Sequence, residues 1–358
     1  MGDRTLAWCI VAILVTIPLS GCTSVVHAGS DGYGETWPLA MIQADTLHER
    51  GLTGKGVKVA IIDTGIELTH KEFVGVPVEW ADLVNGKDRA YDDNGHGTHV
   101  AGIIAAQGTW NTMLSGFRLK GVAPGVSLIV IKAIDSGGKG DETRVARGVN
   151  TAVNAGADII VLSLGGDTRP IFGTNTEEAV RNAVSKGVYV VAAAGNTQEG
   201  QTSCTVSSPA SDPSVIAVGA VTRDEAIGAF SCHGSGKEGG GSVLPGIPSP
   251  VTSAKDPDKK PEVVAPGVDI TSTWKDGGYA SATGTSQAAP MVGGILALLL
   301  EAKPSLANRN DDTVRAVKEK LMTTSKKIGP LAGKGPSAHD DAYGYGLIQG
   351  ALLVDSLG

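Results

Sequence analysis

Short apolar runs that alternate with segments of helical spacing constrain this chain more than any other feature. Val57-Lys58-Val59-Ala60-Ile61-Ile62 is almost continuously apolar and follows the turn Gly54-Lys55-Gly56. Strands of this kind are buried on both faces, as happens in parallel sheets covered by helices. The pattern recurs: 127–134, 158–164, 188–194 and 215–221 read as strands, and 143–154 and 176–186 as helices ending at Gly156 and Gly187. Upstream, 37–50 reads as one helix with Leu39, Ile42 and Leu47 on its buried side and Gly51 as its stop. This alternation predicts an α/β fold: a doubly wound, mostly parallel central sheet with helices on both faces and right-handed crossovers. Catalysis in such sheets gathers at the carboxyl ends of the strands. No repeat or break divides 37–358, which reads as one domain with a Gly-, Pro-, Ser- and Lys-rich surface insertion at 233–260.

Composition matters at two points. A hydrophobic content of 41% suffices for a large core, and 50 glycines beside 4% aromatics indicate many tight turns. The net charge of −7 leaves no electrostatic case for a nucleic-acid partner.

The N-terminus is a separate unit. Arg4 precedes an apolar run over 6–19, too short for a membrane span and the size of a signal-peptide core. It ends in Leu19-Ser20-Gly21-Cys22, which resembles the lipobox of bacterial lipoproteins. The resemblance implies a signal peptide over 1–21, a lipid on Cys22 and a tether over 22–36. The protein is then exported and anchored to the extracytoplasmic face of a bacterial membrane. Cys9 would leave with the signal, so Cys204 and Cys232 remain. Two leftover cysteines in an exported chain suggest a disulfide, with buried thiols as the alternative.

Three positions carry chemistry. Asp63 ends the first strand in Asp63-Thr64-Gly65, and His96 opens a helix in Gly95-His96-Gly97-Thr98-His99-Val100-Ala101-Gly102. Ser286 opens another in Gly284-Thr285-Ser286-Gln287-Ala288-Ala289-Pro290, ahead of the apolar run 291–300. A serine hydroxyl is a weak nucleophile. An imidazole must take its proton, and a carboxylate must hold the ring and steady the imidazolium. A helix N-terminus presents N–H groups to a developing anion, and small residues there let a substrate backbone approach. Pro290 falls about one turn into its helix, where a missing N–H is expected to cost little.

The order Asp, His, Ser is one of three known orders, each on an unrelated fold. Together with Ile61-Ile62-Asp63-Thr64-Gly65, the histidine motif, Ala193-Ala194-Gly195-Asn196 and Gly284 to Pro290, it makes the chain resemble the subtilisin-like serine proteases over 37–354. Ser163-Leu164-Gly165-Gly166, Ala265-Pro266-Gly267-Val268 and Tyr343-Gly344-Tyr345-Gly346-Leu347-Ile348 support the likeness. It implies a serine endopeptidase with Ser286 as nucleophile, His96 as base then acid, and Asp63 as its orienter. Asn196 and the Ser286 N–H would form the oxyanion hole. Extended polypeptide substrates would lie between Ser163 to Gly166 and Ser136-Gly137-Gly138 by strand addition. The primary pocket would be lined from Ser163 to Gly166 and from Ala193, Ala194 and Gly195 to Asn196, with a lean to hydrophobic residues before the scissile bond. A monomer is expected, and the chemistry requires no cofactor.

Rival readings are weaker. Asp-Thr-Gly also marks aspartic proteases, but these need paired carboxylates on an all-β fold. His96 and His99 at i, i+3 have no further cluster of zinc spacing, so no metal is assigned, and His99 reads as packed on its helix. His27, His48, His70, His233 and His339 read as surface or loop residues. A binding protein on an inactive scaffold is disfavoured by intact Asp63, His96, Asn196 and Ser286; an acyl-transfer variant shares the same residues.

Three departures from the family stand out. Only 22–36 precedes the domain, shorter than the pro-domain of secreted members, so maturation without its self-cleavage, or control of activity elsewhere, is expected. Glu72 falls where the family often has a calcium-ligating carboxylate, yet 107–120 is long, carries Trp110, Met113, Leu114 and Phe117, and lacks the Asn-rich loop. Calcium is therefore not assigned. The insertion begins after Cys232, so a bond to Cys204 would pin its base to the loop beyond Asn196.

Overall fold

The computed structural model describes residues 36–109, 119–165, 175–198, 201–234, 259–307 and 310–358. The expected signal peptide, Cys22 and the expected tether as far as residue 35, most of 107–120, Gly166 and nearly all of the expected insertion at 233–260 lie outside them.

Seven parallel strands form the central sheet: β1 (Lys58–Asp63), β2 (Val78–Asp82), β3 (Ser127–Lys132), β4 (Ile159–Leu162), β5 (Tyr189–Ala193), β6 (Ile216–Val221) and β7 (Val263–Pro266), in the order β2-β3-β1-β4-β5-β6-β7. β1, β3, β4 and β5 are buried nearly throughout, as continuous apolar runs require. Eight helices accompany them among the described residues: α1 (Trp37–Met41), α2 (Ala44–Glu49), α3 (His96–Ala105), α4 (Glu142–Asn154), α5 (Asn175–Ser185), α6 (Thr285–Ala302), α7 (Asp311–Thr324) and α8 (Gly350–Ser356). Strands β8 (Ile270–Thr273) and β9 (Tyr279–Ala282) form an antiparallel hairpin.

Alternation along the strands assigns the faces. Gly293 of α6 lies against Val161, which is in register with Ile61, whereas Gly148 of α4 lies against Ile62 and Ile131. Helix α6 therefore covers the face to which Ile61 and Asp63 point, and α4 covers the opposite one. α6 is long and apolar enough by composition to cross a membrane, but 89% of it is buried inside the domain. It is the core helix on which the sheet packs.

Several expectations are corrected. The single helix read over 37–50 is two, broken at Ile42 and Gln43, with Gln43 left-handed at φ 60°. The break frees carbonyls for distant donors: Gly350 N donates to Ile42 O at 2.8 Å and Gln349 Nε2 to Met41 O at 3.0 Å. His70 is buried, and its Nε2 meets Gly278 O at 2.8 Å. His48 and His339 are half-buried, each with a ring nitrogen on a main-chain carbonyl, Val122 O and Pro261 O. Burial lowers the pKa of all three below that of a free histidine, despite those carbonyls. Only His233 of the described loop histidines is exposed. β2 was not foreseen, because Val78-Glu79-Trp80-Ala81-Asp82 is short and carries two acids.

Candidate active site

Asp63 ends β1, between β3 and β4, at the carboxyl edge of the sheet. It is 1% exposed. His96 Nδ1 lies 2.8 Å from Asp63 Oδ1 and 3.0 Å from Oδ2. A carboxylate only accepts, so Nδ1 carries the proton and donates it, and Nε2 keeps its lone pair when the ring is neutral. Nε2 is buried with no hydrogen-bond partner among the described residues. Gly97 permits this approach, since a Cβ there would lie 2.2 Å from Gly65 O and 3.2 Å from Asp63 Oδ1. Burial by itself would lower the His96 pKa. The charge and hydrogen bond of Asp63, joined by the charge of Asp92, outweigh it and hold the pKa above the ordinary histidine value.

Helix α3 is fixed from two sides. Its first N–H groups are taken by side chains: His96 N donates to Asn94 Oδ1 (3.1 Å), Gly97 N to Thr64 Oγ1 (2.9 Å) and Thr98 N to Asp92 Oδ2 (2.8 Å). On its far side the β8–β9 hairpin holds it, with Thr273 Oγ1 donating to Thr98 O and Ser272 Oγ to His99 O. His99 Nε2 sits 3.0 Å from Ile270 O and 3.1 Å from Ala280 O, so the ring joins helix to hairpin. Burial, reinforced by neighbouring His96, pushes its pKa down to about 3. His99 is thus a neutral ring that packs helix against hairpin.

Ser286 is the second residue of α6 and 8% exposed. Its Oγ donates to Ser163 O at 3.0 Å, and Ser163 Oγ donates back to Ser286 O at 2.9 Å. The return bond corrects the expectation for Pro290. Proline is the sixth residue of α6, so it withholds the N–H that Ser286 O would otherwise receive, and Ser163 supplies the replacement. This couples the end of β4 to the serine.

Asn196 follows β5. Its Oδ1 accepts from Thr285 N and Thr285 Oγ1, both at 3.0 Å, which turns Nδ2 the other way. A Cβ on Gly284 would lie 3.2 Å from Asn196 Nδ2 and 3.7 Å from Ser286 N, so these donors converge where a side chain is missing. Gly195 N donates to Thr285 Oγ1 at 3.1 Å, completing the tie between β5 and α6. Cys204 and Cys232 form a disulfide beside this loop, with Cys232 N donating to Gly195 O at 3.0 Å.

Of the segments expected to bind peptide, Ser163 and Leu164 are buried and Gly165 is half-buried at the end of β4, and Ala193 and Ala194 are buried at the end of β5. Ser136 and Gly137 are exposed, and Gly138 is buried. Their turn is closed on Asp135: Gly137 N donates to its Oδ1 and Gly138 N to its carbonyl. Those two N–H groups are thus already engaged. Glu72 is buried and accepts from Thr109 N (2.9 Å), Thr109 Oγ1 (2.8 Å) and Tyr279 OH (3.1 Å). These donors hold Glu72 as a hydrogen-bonded carboxylate, and among the described residues no group of three or more His, Cys, Asp or Glu is placed to hold a metal.

Sequence reasoning missed Thr64, Asp92 and Thr285, whose side chains hold the helix starts in place. Their only signal was position: one residue after Asp63, four before His96, one before Ser286.

The model of the subtilase family matches residues 54–346. Subtilisin DY of Bacillus licheniformis is 36% identical over 299 residues, 83% of this chain and 94% of that protein. Subtilisin Savinase of Lederbergia lenta is 35% identical over 312 residues, covering 87% and 96%. Subtilisin E of Bacillus subtilis (strain 168) is 35% identical over 323 residues, covering 90% and 71%. With a family model spanning most of the chain and relatives aligned over most of both lengths, this protein belongs to the subtilase family and is a serine endopeptidase acting on polypeptides.

Proposed function

We propose that Ser286, His96 and Asp63 form the triad of this endopeptidase, with Asn196 Nδ2 and Ser286 N as its oxyanion hole. The observation that carries this is the buried His96 ring, with Nδ1 on Asp63 and a bare Nε2. The Ser286 hydroxyl turns from Ser163 O to His96 Nε2, gives up its proton there, and Oγ attacks the scissile carbonyl carbon. Negative charge then appears on the former carbonyl oxygen, a species the two donors meet only in the tetrahedral intermediate. Collapse breaks the C–N bond as His96 returns the proton to the leaving amine. Water, deprotonated by the same nitrogen, releases the acyl group.

The test is labelling by a fluorophosphonate together with hydrolysis of a chromogenic peptide. Wild type labels and hydrolyses; Ser286→Ala does neither, and His96→Ala loses about 10⁶ in kcat, the loss measured when either residue is removed from subtilisin. Folded wild-type protein that resists the label would defeat the reading.

Export and lipid anchoring of Cys22 belong to the same proposal, supported by the order Leu19-Ser20-Gly21-Cys22 after an apolar run. Metabolic labelling with a fatty-acid analogue should mark wild type and not Cys22→Ala. Equal labelling of both would remove the anchor from the account.

A further inference from the structure

The triad leaves one buried carboxylate beneath the histidine without a task. Asp92 is 6% exposed and bridges to Gly65, just past the end of β1. Its carboxylate accepts five hydrogen bonds: Oδ1 from Thr64 Oγ1 (2.9 Å), Asn94 N (3.0 Å) and Gly95 N (2.8 Å), Oδ2 from Thr98 N (2.8 Å) and Thr98 Oγ1 (2.7 Å). These donors come from three places: the residue after Asp63, the turn before His96, and the first turn of α3. Thr64 Oγ1 in turn accepts from Gly97 N. One carboxylate thus sets the position of both residues flanking the Asp63–His96 hydrogen bond.

The same carboxylate has an electrostatic consequence. The positive end of a helix dipole lies at His96 and opposes a charge on its ring. A fixed anion at that end reverses the opposition. Burial tends to raise the Asp92 pKa, but its hydrogen bonds to Thr98, Gly95 and Asn94 outweigh burial and keep it below the usual carboxylate range. It is therefore charged wherever His96 titrates.

Among the described residues the groups around His96 are few. Asp63 faces it from β1, Ser286 belongs to α6, and His99 lies one turn along α3, held neutral by burial. The hairpin contributes the Thr273 and Ser272 hydroxyls, bonded to α3 carbonyls. Beside Asp92, the Asp93 carboxylate is paired with buried Lys132 Nζ at 2.7 Å, which also donates to Thr64 O and Ile134 O. Lys275 Nζ reaches Asp93 O at 3.3 Å.

We propose that Asp92 is a positioning residue of the catalytic centre: a second buried carboxylate that pins the start of α3 to the strand end bearing Asp63 and places a permanent negative charge under His96. The role rests on the triad reading above. It acts through His96, without touching substrate.

The experiment compares full-length wild type, Asp92→Asn, Thr64→Val and Thr64→Ser by kcat/KM against pH on a chromogenic peptide, with active sites titrated by fluorophosphonate. Asp92→Asn should move the acid limb to lower pH by about 0.5–1 unit and lower the plateau roughly tenfold. Thr64→Val keeps the charge and loosens the pin, so kcat should fall several-fold with the limb in place, and Thr64→Ser should restore it. A folded Asp92→Asn enzyme with limb and plateau unchanged overturns the proposal. Should that variant fail to fold, the threonine pair decides: Thr64→Val with wild-type kcat overturns it, and a fall rescued by serine supports it. Residual labelling in Ser286→Ala would strike the triad reading instead, so the two failures are distinct.

Discussion

At the start of α3 the N–H groups of His96, Gly97 and Thr98 are taken by Asn94, Thr64 and Asp92, and a permanent carboxylate sits against the positive end of the helix. At the start of α6, Thr285 N is bonded to Asn196 and Gln287 N to Gly284, while Ser286 N has no partner among the described residues, and no acid lies in the first turn. Both helices open with Gly-X-Gly or Gly-Thr sequences and both are buried, yet one terminus is filled and the other is reserved. The difference follows from when charge is needed. An imidazolium must be steadied at a position that would otherwise repel it, so an anion is built in. On the proposed mechanism the oxyanion exists only during the reaction, so its donors are left to it. A helix N-terminus can serve either purpose, and neighbouring side chains decide which.

The comparison breaks most readily at the reserved terminus. Asn196→Ala removes one of the two proposed oxyanion donors and should lower kcat by about 10²–10³ with KM little changed, measured by steady-state hydrolysis. An unchanged kcat would mean that α6 alone stabilises the charge. At the filled terminus the expected effect is on pH. As the proposed base His96 works only when neutral, and its pKa is raised above the ordinary histidine value. Activity should therefore be full above that raised value and fall as pH drops through it, about tenfold per unit. An acid limb at or below the ordinary histidine value would show that Asp63 and Asp92 do not outweigh burial. Gln287→Glu then makes the second terminus imitate the first, by placing a carboxylate next to the serine. It should cost roughly 2- to 30-fold in kcat, the range of a charge at a helix end. No loss would mean that the reserved terminus contributes only its N–H geometry.

How far these termini could be read in advance differs in an instructive way. The placement of Asp63, His96 and Ser286 was legible because each stands at the end of an apolar strand or the start of a helix, in an order that limits the fold. The sheet was legible from β1, β3, β4, β5 and β6, whose side chains are buried on both faces and so read as unbroken apolar runs. Asp92 was not. Two adjacent acids before a glycine look like a solvated turn, and nothing local reveals that Thr64 and Thr98 will surround one of them. The β8–β9 hairpin escaped for a similar reason: Thr271, Ser272 and Thr273 are polar by type but buried against α3. The break between α1 and α2 depends on Gln349 and Gly350 at the other end of the chain. Residues whose environment is set by distant partners carry no periodicity to find.

The smallest expected effect concerns what secures each terminus. Asp92 is held by hydrogen bonds alone, whereas Asn196 stands on a loop tied by the Cys204–Cys232 disulfide, which closes a separation of 28 residues. Around that bond, Cys232 N donates to Gly195 O, Thr197 N to Phe230 O, and Asn196 bridges to Ser231. Opening it should destabilise the fold by about 3 kcal/mol, since the loop regains freedom in the unfolded chain. The effect on catalysis should be selective. Loosening Gly195 and Asn196 displaces a proposed oxyanion donor while the hydrogen bonds around Asp92 stay in place. Reductant, or Cys204→Ala, is therefore expected to lower the melting temperature and to reduce kcat several-fold, with the acid limb unmoved. A shift of that limb would show that the two termini are mechanically joined across α6, and equal melting with and without reductant would show that the loop is held without the bond.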